Sequence, residues 1–411
     1  MAPPIRPDLP SVLESPFMNG LGEGLLYGLF LLSERLGHRP AWTFVPLALA
    51  LVAGTAWLWA GGTPWAAPGG LAAGVLLLVF SAADLILFSC LPRRGLSYGP
   101  VPPPWLILLG LRCGLALLTL LLARHWPVAA LVVLALAQVL LFVLMAYGTL
   151  VEPFRLQVRG VGISSPKLAN PGTPLRIVQL SDLHVERTTP RERALPQLVA
   201  GLKPDLVLLT GDYLNTSYRR DRQALSDLRS LLAQIKSPAG VVAIWGTPKV
   251  DFQDVLRPAL NDLGIVLLED AAREVVVRGH RLWLIGLTCT HDQELGGARL
   301  RALLDQAPEG AFTILLHHTP DLMPVAAAQK VDLVFSGHTH GGQWCLPGFG
   351  ALHTSSRYWK RYEGGYRREG STHLYVSRGL GMEGFGLPRA RFFCPPEVAL
   401  VTLAGMDEAN R

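Results

Sequence analysis

The sequence predicts two unlike parts in one chain: an N-terminal all-α bundle of membrane-crossing helices, followed by an α/β domain. Three observations predict this. Half of the 411 residues are hydrophobic and only 17% are charged, whereas a soluble globular domain carries about 25% charged residues. Four long apolar runs follow one another between residues 41 and 151. From about Leu175 onward the pattern changes to short β-rich runs alternating with polar, helix-like segments.

The four runs are Ala41–Ala60, Leu71–Leu91, Pro104–Ala123 and Pro127–Val151, broken by "GGTPWAAPGG", "PRRGLSYGPVPPP" and "RHWP". Each is near the ~20 residues a helix needs to cross a bilayer, so the sequence predicts four spans over residues 41–151. A cleaved signal peptide fits poorly, because the first apolar run starts late and three more follow. The shorter run Leu25–Leu32 lies between Glu23 and Glu34 and reads as an interfacial amphipathic helix within an N-terminal segment 1–40. Arginines are concentrated before the first span (Arg6, Arg35, Arg39), in the second loop (Arg93, Arg94) and after the last span (Arg155, Arg159). Only Arg124 falls in the third loop. The positive-inside rule then places both termini, and the C-terminal domain, in the cytoplasm of an inner-membrane protein. Asp84 and Arg112 lie inside the spans. Each alone in hydrocarbon is costly, so both are expected to face the bundle interior and to pair.

Residues 152–175, with Pro153, Pro166, Pro171 and Pro174, read as a linker. The strand candidates that follow are "LRIVQLSD", "DLVLLTGD", "GVVAIWG", "RLWLIGL", "AFTILLHH", "VDLVFSGH", "HLYVSRG" and "EVALVTL", with helical periodicity over Arg191–Gly201 and Arg219–Lys236. Residues 176–404 therefore form the α/β domain, and 405–411 a short tail. The five cysteines are scattered without a CxxC pair, which excludes a disulfide framework and a zinc-finger spacing. The net charge of +6 comes without a long basic run, so no nucleic-acid partner is expected.

Polar residues with metal-binding side chains recur at the carboxyl ends of these strands. They are Asp182 and His184 in "SDLH", Asp212 in "TGDY", His317 and His318 in "LLHHTPD", and His338 and His340 in "FSGHTHGGQ". Ligands of open α/β sheets bind outside the carboxyl ends of the strands. A single Asp there is ordinarily a turn or cap residue, and a single His is ordinarily a hydrogen-bonded core residue. Two carboxylates and several imidazoles together form a mixed oxygen and nitrogen set that suits Mn, Fe or Zn. A shared carboxylate can hold two such ions ~3.5–4 Å apart, which clamps a phosphoryl group and activates water.

The order D-x-H, G-D, His before Pro, then G-H-x-H resembles the calcineurin-like metallophosphoesterases over roughly Arg176–Leu403. "GHTHGGQ", then "LYVSRGLG" and "PPEVAL", is similar to their membrane-associated bacterial branch and its multi-spanning animal relatives. The resemblance implies a four-layer αββα sandwich with two divalent metal ions in its loops. It implies Asp182, His184 and His340 on the first ion, Asp212 bridging both, and His318 and His338 on the second. His318 is chosen over His317 because it stands two residues before Pro320. His317 becomes an outer neighbour of the site.

The family pattern continues with a strand, then Gly-Asn-His-Asp or Gly-Asn-His-Glu, whose Asn binds the second metal and whose His protonates the leaving oxygen. Here the strand "GVVAIWG" runs into Thr247, Pro248 and Lys249. Thr247 offers a hydroxyl as a weaker ligand. Pro248 has no proton to give, although general-acid help is worth about 10²–10⁴-fold. Lys249 puts a cation where the family has a carboxylate, which either repels the metals or serves a phosphate as a point charge. Asp251 reads as the N-cap of a helix Phe252–Leu263, with a ligand or acid at the site as the alternative. The resemblance thus implies a membrane enzyme hydrolysing a phosphate ester or a pyrophosphate, with a lipid-linked phosphorylated substrate. The alternative is a pseudoenzyme that keeps the metals as a sensor or scaffold. A transporter with a regulatory C-terminal domain has only Asp84 and Arg112 in its favour.

Overall fold

The computed structural model describes residues 32–33, 36–37, 39–168, 172–290, 292–384 and 386–406. The expected interfacial helix over Leu25–Leu32, apart from Leu32, and most of the tail 405–411 lie outside these residues. The chain separates into two compact units. One holds the apolar helices up to Val151 together with Gly384–Ala390, and the other runs from Glu152 to Glu383 and resumes at Arg391.

In the first unit, four helices among the described residues are long and apolar enough to cross a membrane. They run over Val45–Gly62 (after a 3-10 turn at Ala41–Phe44), Ala66–Arg93, Pro102–Ala123 and Pro127–Leu150. Prolines stand at the first turn of the first, third and fourth helices, where the missing N–H has no helical partner to lose. The second helix starts five residues before the expected span and ends two after it. Its early turns, "AAPGG", are built of small residues that local composition marks as a break. Large apolar side chains face outward, among them Trp57 and Leu121, each about three-quarters exposed. Such faces are stable only against lipid or protein. The polar groups of the unit are turned inward. Arg112 donates through Nε and a terminal nitrogen to the two oxygens of Asp84 at 2.6 and 2.8 Å, and to Gln138 Oε1 at 2.7 Å. Three helices are thereby tied by one fully buried network, in which the two charges expected to pair do so.

The second unit contains two six-stranded sheets. The first has the order β1 (Gln157–Ser165), β14 (Glu397–Gly405), β2 (Leu175–Leu180), β3 (Leu206–Leu209), β4 (Val241–Ala243), β5 (Val266–Leu267). The second runs β12 (Gly365–Glu369), β13 (Thr372–Val376), β9 (Leu333–Ser336), β8 (Phe312–Leu316), β7 (His280–Gly286), β6 (Ala271–Val277). A two-stranded ribbon, β10 (Cys345–Leu346) with β11 (Gly350–Ala351), completes the set.

Period-two alternation explains the layering. Ile177, Leu206, Leu208 and Val242 of the first sheet share one core with Leu282, Leu284, Phe312, Ile314, Leu333 and Phe335 of the second. Their neighbours Val178, Val207, Leu209 and Ala243 point the other way, onto the helices Pro190–Gly201, Arg222–Leu232 and Gln253–Asp262. Likewise Trp283, Ile285, Leu315 and Val334 face the helices Gln293–Leu304 and Met323–Ala328. Both faces of the central strands are buried, as their parallel pairing requires. The result is the four-layer αββα sandwich.

Two sequence expectations change. The stretch taken as a linker contains β1, which pairs in parallel with β14 over nine residues. Its alternation is hidden because most of its residues are exposed or half-buried at the sheet edge. The helix after "GTPKVD" starts at Gln253 with Phe252 as its cap. Asp251 is not the N-cap. Its carboxylate is buried and accepts from the backbone N–H groups of Gly246, Asp212 and Tyr213 at 2.7, 2.9 and 2.9 Å.

Candidate metal centre

The carboxyl ends of β2, β3 and β4 in one sheet, and of β8 and β9 in the other, deliver the side chains of the site. Asp182 and His184 follow β2, Asp212 follows β3, Thr247 follows β4, His318 follows β8, and His338 and His340 follow β9. The loops are held in conformations that side-chain-bearing residues rarely adopt. Asp182, His184, Asp212, His338 and His340 have φ of 50°, 41°, 56°, 68° and 52°. Left-handed non-glycine residues gathered in one place are strain that the surroundings have to hold. Two glycines make the approach possible. A Cβ on Gly246 would lie 2.2 Å from Asp212 Oδ1, and one on Gly337 would lie 2.4 Å from Asp182 Oδ2.

Six side chains form two groups, Asp182–His184–His340 and Asp212–His318–His338, within each of which one potential ligand atom per residue lies within 4.8 Å of the others. Asp212 touches both groups: its Oδ2 is 3.3 Å from His318 Nε2 and 3.6 Å from His184 Nε2. Asp182 Oδ1 is 3.6 Å from His340 Nε2 and 3.9 Å from His318 Nε2. The backbone N–H of His338 donates to the Asp182 carboxylate.

The donor set fits cations. The Nδ1 of His318 lies 2.7 Å from the carbonyl of Thr210. It therefore carries the proton there, and Nε2 is left buried without a hydrogen-bond partner. That bare nitrogen points at a carboxylate oxygen, an arrangement that needs a positive charge between them. His184 and His340 bring their Nε2 atoms to 3.1 Å, where two N–H groups would collide. Without a metal, protons supply the charge. Burial alone would lower the basicity of His318, but the Asp212 and Asp182 carboxylates outweigh it and raise its pKa to about 10. Burial likewise opposes the protonation of His184, and Glu383 with the two aspartates overcomes it, raising the pKa to about 9. Asp212 is pushed up by burial and pulled well below the usual carboxylate range by His318 and His184.

Thr247 sits at this centre. Its N–H donates to Asp212 Oδ1 at 2.6 Å, and its hydroxyl lies 3.3 Å from Asp212 Oδ2 and 3.5 Å from His338 Nδ1. Pro248 is exposed. Lys249 is half-buried, and its carbonyl accepts from Arg219. His317 points away, with Nδ1 2.7 Å from the Thr319 carbonyl and Nε2 accepting from Thr290 N–H. Consecutive residues at a strand end face opposite sides, so only one of the two histidines reaches the centre.

Sequence reasoning missed one acidic group and took a second for a helix cap. Glu383, in "GLGMEGFG", brings Oε1 to 2.9 Å from His184 Nδ1 in ion-pair contact, without hydrogen-bond alignment. The same oxygen accepts from the N–H and hydroxyl of Thr216, both at 2.8 Å. Asp251 is the second, through the three amides described above. Nothing in their spacing marks either of them. Arg391 was also missed. Its fully buried guanidinium donates to the carbonyls of Gly381, Gly379, Arg378 and Cys394, fastening the segment that carries Glu383.

With this geometry in place, comparison with known proteins gives a consistent answer. The calcineurin-like phosphoesterase pattern matches residues 175–342. The uncharacterized metallophosphoesterase YkuE of Bacillus subtilis (strain 168) is 30% identical over 263 residues, 62% of this chain and 88% of that protein. Phosphodiesterase YaeI of Escherichia coli (strain K12) is 30% identical over 56% of this chain and 82% of its own length. The UDP-2,3-diacylglucosamine pyrophosphatase LpxG of Chlamydia muridarum (strain MoPn / Nigg) is 27% identical over 55% and 83%. Among solved structures, TT1561 of Thermus thermophilus covers 51% of this chain and 91% of itself at 12% identity, with a TM-score of 0.36, too low to carry an argument. The chain belongs to the calcineurin-like phosphoesterases, metal-dependent hydrolases of phosphoester bonds.

Proposed function

We propose that the protein is an inner-membrane enzyme that hydrolyses a diester of phosphate or pyrophosphate carried on an amphipathic, lipid-linked substrate, with its catalytic unit on the cytoplasmic side. The observation that carries the reading is Asp212, whose one carboxylate touches both groups of imidazoles. In this reading Asp182, His184 and His340 hold one divalent ion, His318 and His338 hold another, and Asp212 holds both. Manganese, iron and zinc suit this mixed oxygen and nitrogen set. When bound, such a pair supplies charge for the phosphoryl oxygens and a water acidic enough to attack at neutral pH.

The protein's own groups then divide the remaining work. The Thr210 carbonyl and Glu383 fix the rings of His318 and His184, so that each presents Nε2 inward. Thr247 holds Asp212 through its N–H, and its hydroxyl stands in for the family's amide ligand. Pro248 leaves the loop without a proton donor, which restricts the leaving group. An alkoxide needs a proton as it departs, whereas a phosphate monoester, with a second pKa of about 6, leaves as the anion. The site therefore favours phosphoanhydrides and activated diesters. The four apolar helices and a relative named for a diacylglucosamine pyrophosphatase support a lipid-linked substrate, and the arginine bias of the loops supports the orientation.

The test uses the full chain in detergent, loaded with Mn²⁺, on bis(p-nitrophenyl) phosphate and on a pyrophosphate diester. Hydrolysis that disappears on chelation and in Asp212→Ala is expected. Two bound metals without hydrolysis of either compound, at any pH between 6 and 9, would instead establish a metal-holding scaffold.

A further inference from the structure

Beside the metal centre lies a cationic cluster that the ligand set does not use. Arg219 and Arg220 each place a guanidinium carbon 4.7 Å from the centroid of the Phe252 ring. Arg219 donates to the carbonyl of Lys249, two residues beyond Thr247. The turn is tight, because the N–H groups of Val250 and Asp251 both return to the Thr247 carbonyl at 2.8 and 2.9 Å. Arg187 lies over Tyr218, the residue before Arg219. Two of these cations have carboxylate partners: Arg220 pairs with Asp254 and Arg187 with Asp221, each at 2.8 Å. Arg219 has none among the described residues, although it is half-buried and fixed at both ends by the ring and the carbonyl. Arg219 is thus held by a loop in which Pro248 has no proton to give.

A planar guanidinium held by an aromatic face and a carbonyl, with nitrogens left over, is preorganised for a phosphate. We propose that Arg219, stacked on Phe252 and carried beside Thr247–Lys249, is the subsite for the phosphate group next to the scissile one, so that the substrate is a diester of pyrophosphate. This deepens the function proposed above and rests on it. In the reaction, the oxygen of water bonds to one phosphorus and the bridging P–O bond breaks with its electron pair on the leaving phosphate. The two water protons go to solvent, and the products are two phosphate monoesters. The charge that appears on the leaving phosphate is the charge Arg219 meets, which replaces protonation by electrostatic stabilisation.

The experiment compares wild type, Arg219→Gln and Arg219→Lys as full-length protein in detergent with Mn²⁺. The two substrates are UDP-N-acetylglucosamine, a soluble pyrophosphate diester, and bis(p-nitrophenyl) phosphate, which has one phosphate. Arg229→Gln, remote and paired with Asp262, is the control that leaves both rates unchanged. Expected is a fall in kcat/KM for the pyrophosphate diester at least tenfold larger than for the aryl diester, carried mainly by KM, with part of it recovered by lysine. Equal losses on both substrates would make Arg219 a brace for the loop and overturn the subsite, as would no loss on either, or a wild type that cleaves the aryl diester alone. A wild type that cleaves neither overturns the underlying function instead.

Discussion

Substitution of Glu383 by glutamine tests the layout of the metal centre one residue outside its ligands. The carboxylate stands 2.9 Å from His184 Nδ1, and its position is secured by two hydrogen bonds from Thr216. Glutamine keeps the shape and an accepting oxygen but removes the charge. Two unit charges at that distance interact by about 6 kcal/mol at an effective dielectric constant near 20. A coordinating imidazole takes on only a fraction of a unit charge, about a quarter to a half, which leaves ~1.4–2.9 kcal/mol. That corresponds to about a 10–100-fold loss of metal affinity, the range typical for carboxylates behind ligating histidines. The loss falls on one ion, because His184 belongs to the group with Asp182 and His340. Titration of the metal-free protein with Mn²⁺, read by calorimetry and by activity against free Mn²⁺, is expected to show one site weakened and the other close to wild type, with unfolding temperature in saturating Mn²⁺ preserved. Equal weakening of both sites, or of neither, would refute the assignment of Glu383 as a positioning residue for one ion.

Two further outcomes follow from the same structure. Asp84→Leu strands the Arg112 guanidinium, which is fully buried among three apolar helices, and is expected to cost about 3–5 kcal/mol in detergent unfolding; the double variant with Arg112→Leu recovers most of it, and a double variant as unstable as the single one would show that the pair is not what Arg112 needs. Thr247→Asn with Pro248→His restores an amide ligand and a proton donor, so turnover of phosphodiesters with alkyl leaving groups is expected to rise by at least about tenfold, a floor below the full 10²–10⁴-fold of general-acid help. An unchanged rate on alkyl diesters, with metal content preserved, would show that the altered loop is not what limits the chemistry.

Some of this was legible from residues alone, for a definable reason. Hydropathy and periodicity are properties of neighbouring side chains. Runs of about twenty apolar residues mark helices that only lipid can solvate, and short, nearly continuous apolar runs such as "LRIVQL" or "DLVLLT" mark strands buried on both faces. The nature of the residues at the strand ends, Asp182, His184, Asp212, His318, His338 and His340, already pointed to a cation-binding chemistry, and the absence of a proton donor at Pro248 was visible by reading the position. β1 escaped because an edge strand carries a weak alternation, and Asp251 was mistaken for a helix cap because an aspartate before a helix ordinarily is one.

What only the folded chain decided are the contacts between distant positions. Asp182 meets the backbone of His338 across 156 positions, and Glu383 meets Thr216 across 167. Strand parity sends His317 toward Thr319 and Thr290 while His318 turns to Asp212. Asp251 gives its carboxylate to two amides after β3 and to one in its own loop, and Arg219 finds an aromatic ring and a carbonyl in place of a carboxylate. A side chain's chemistry travels with the letter in the sequence. Its partner is set by sheet order and register, which are fixed by the burial of the whole core and by no local signal.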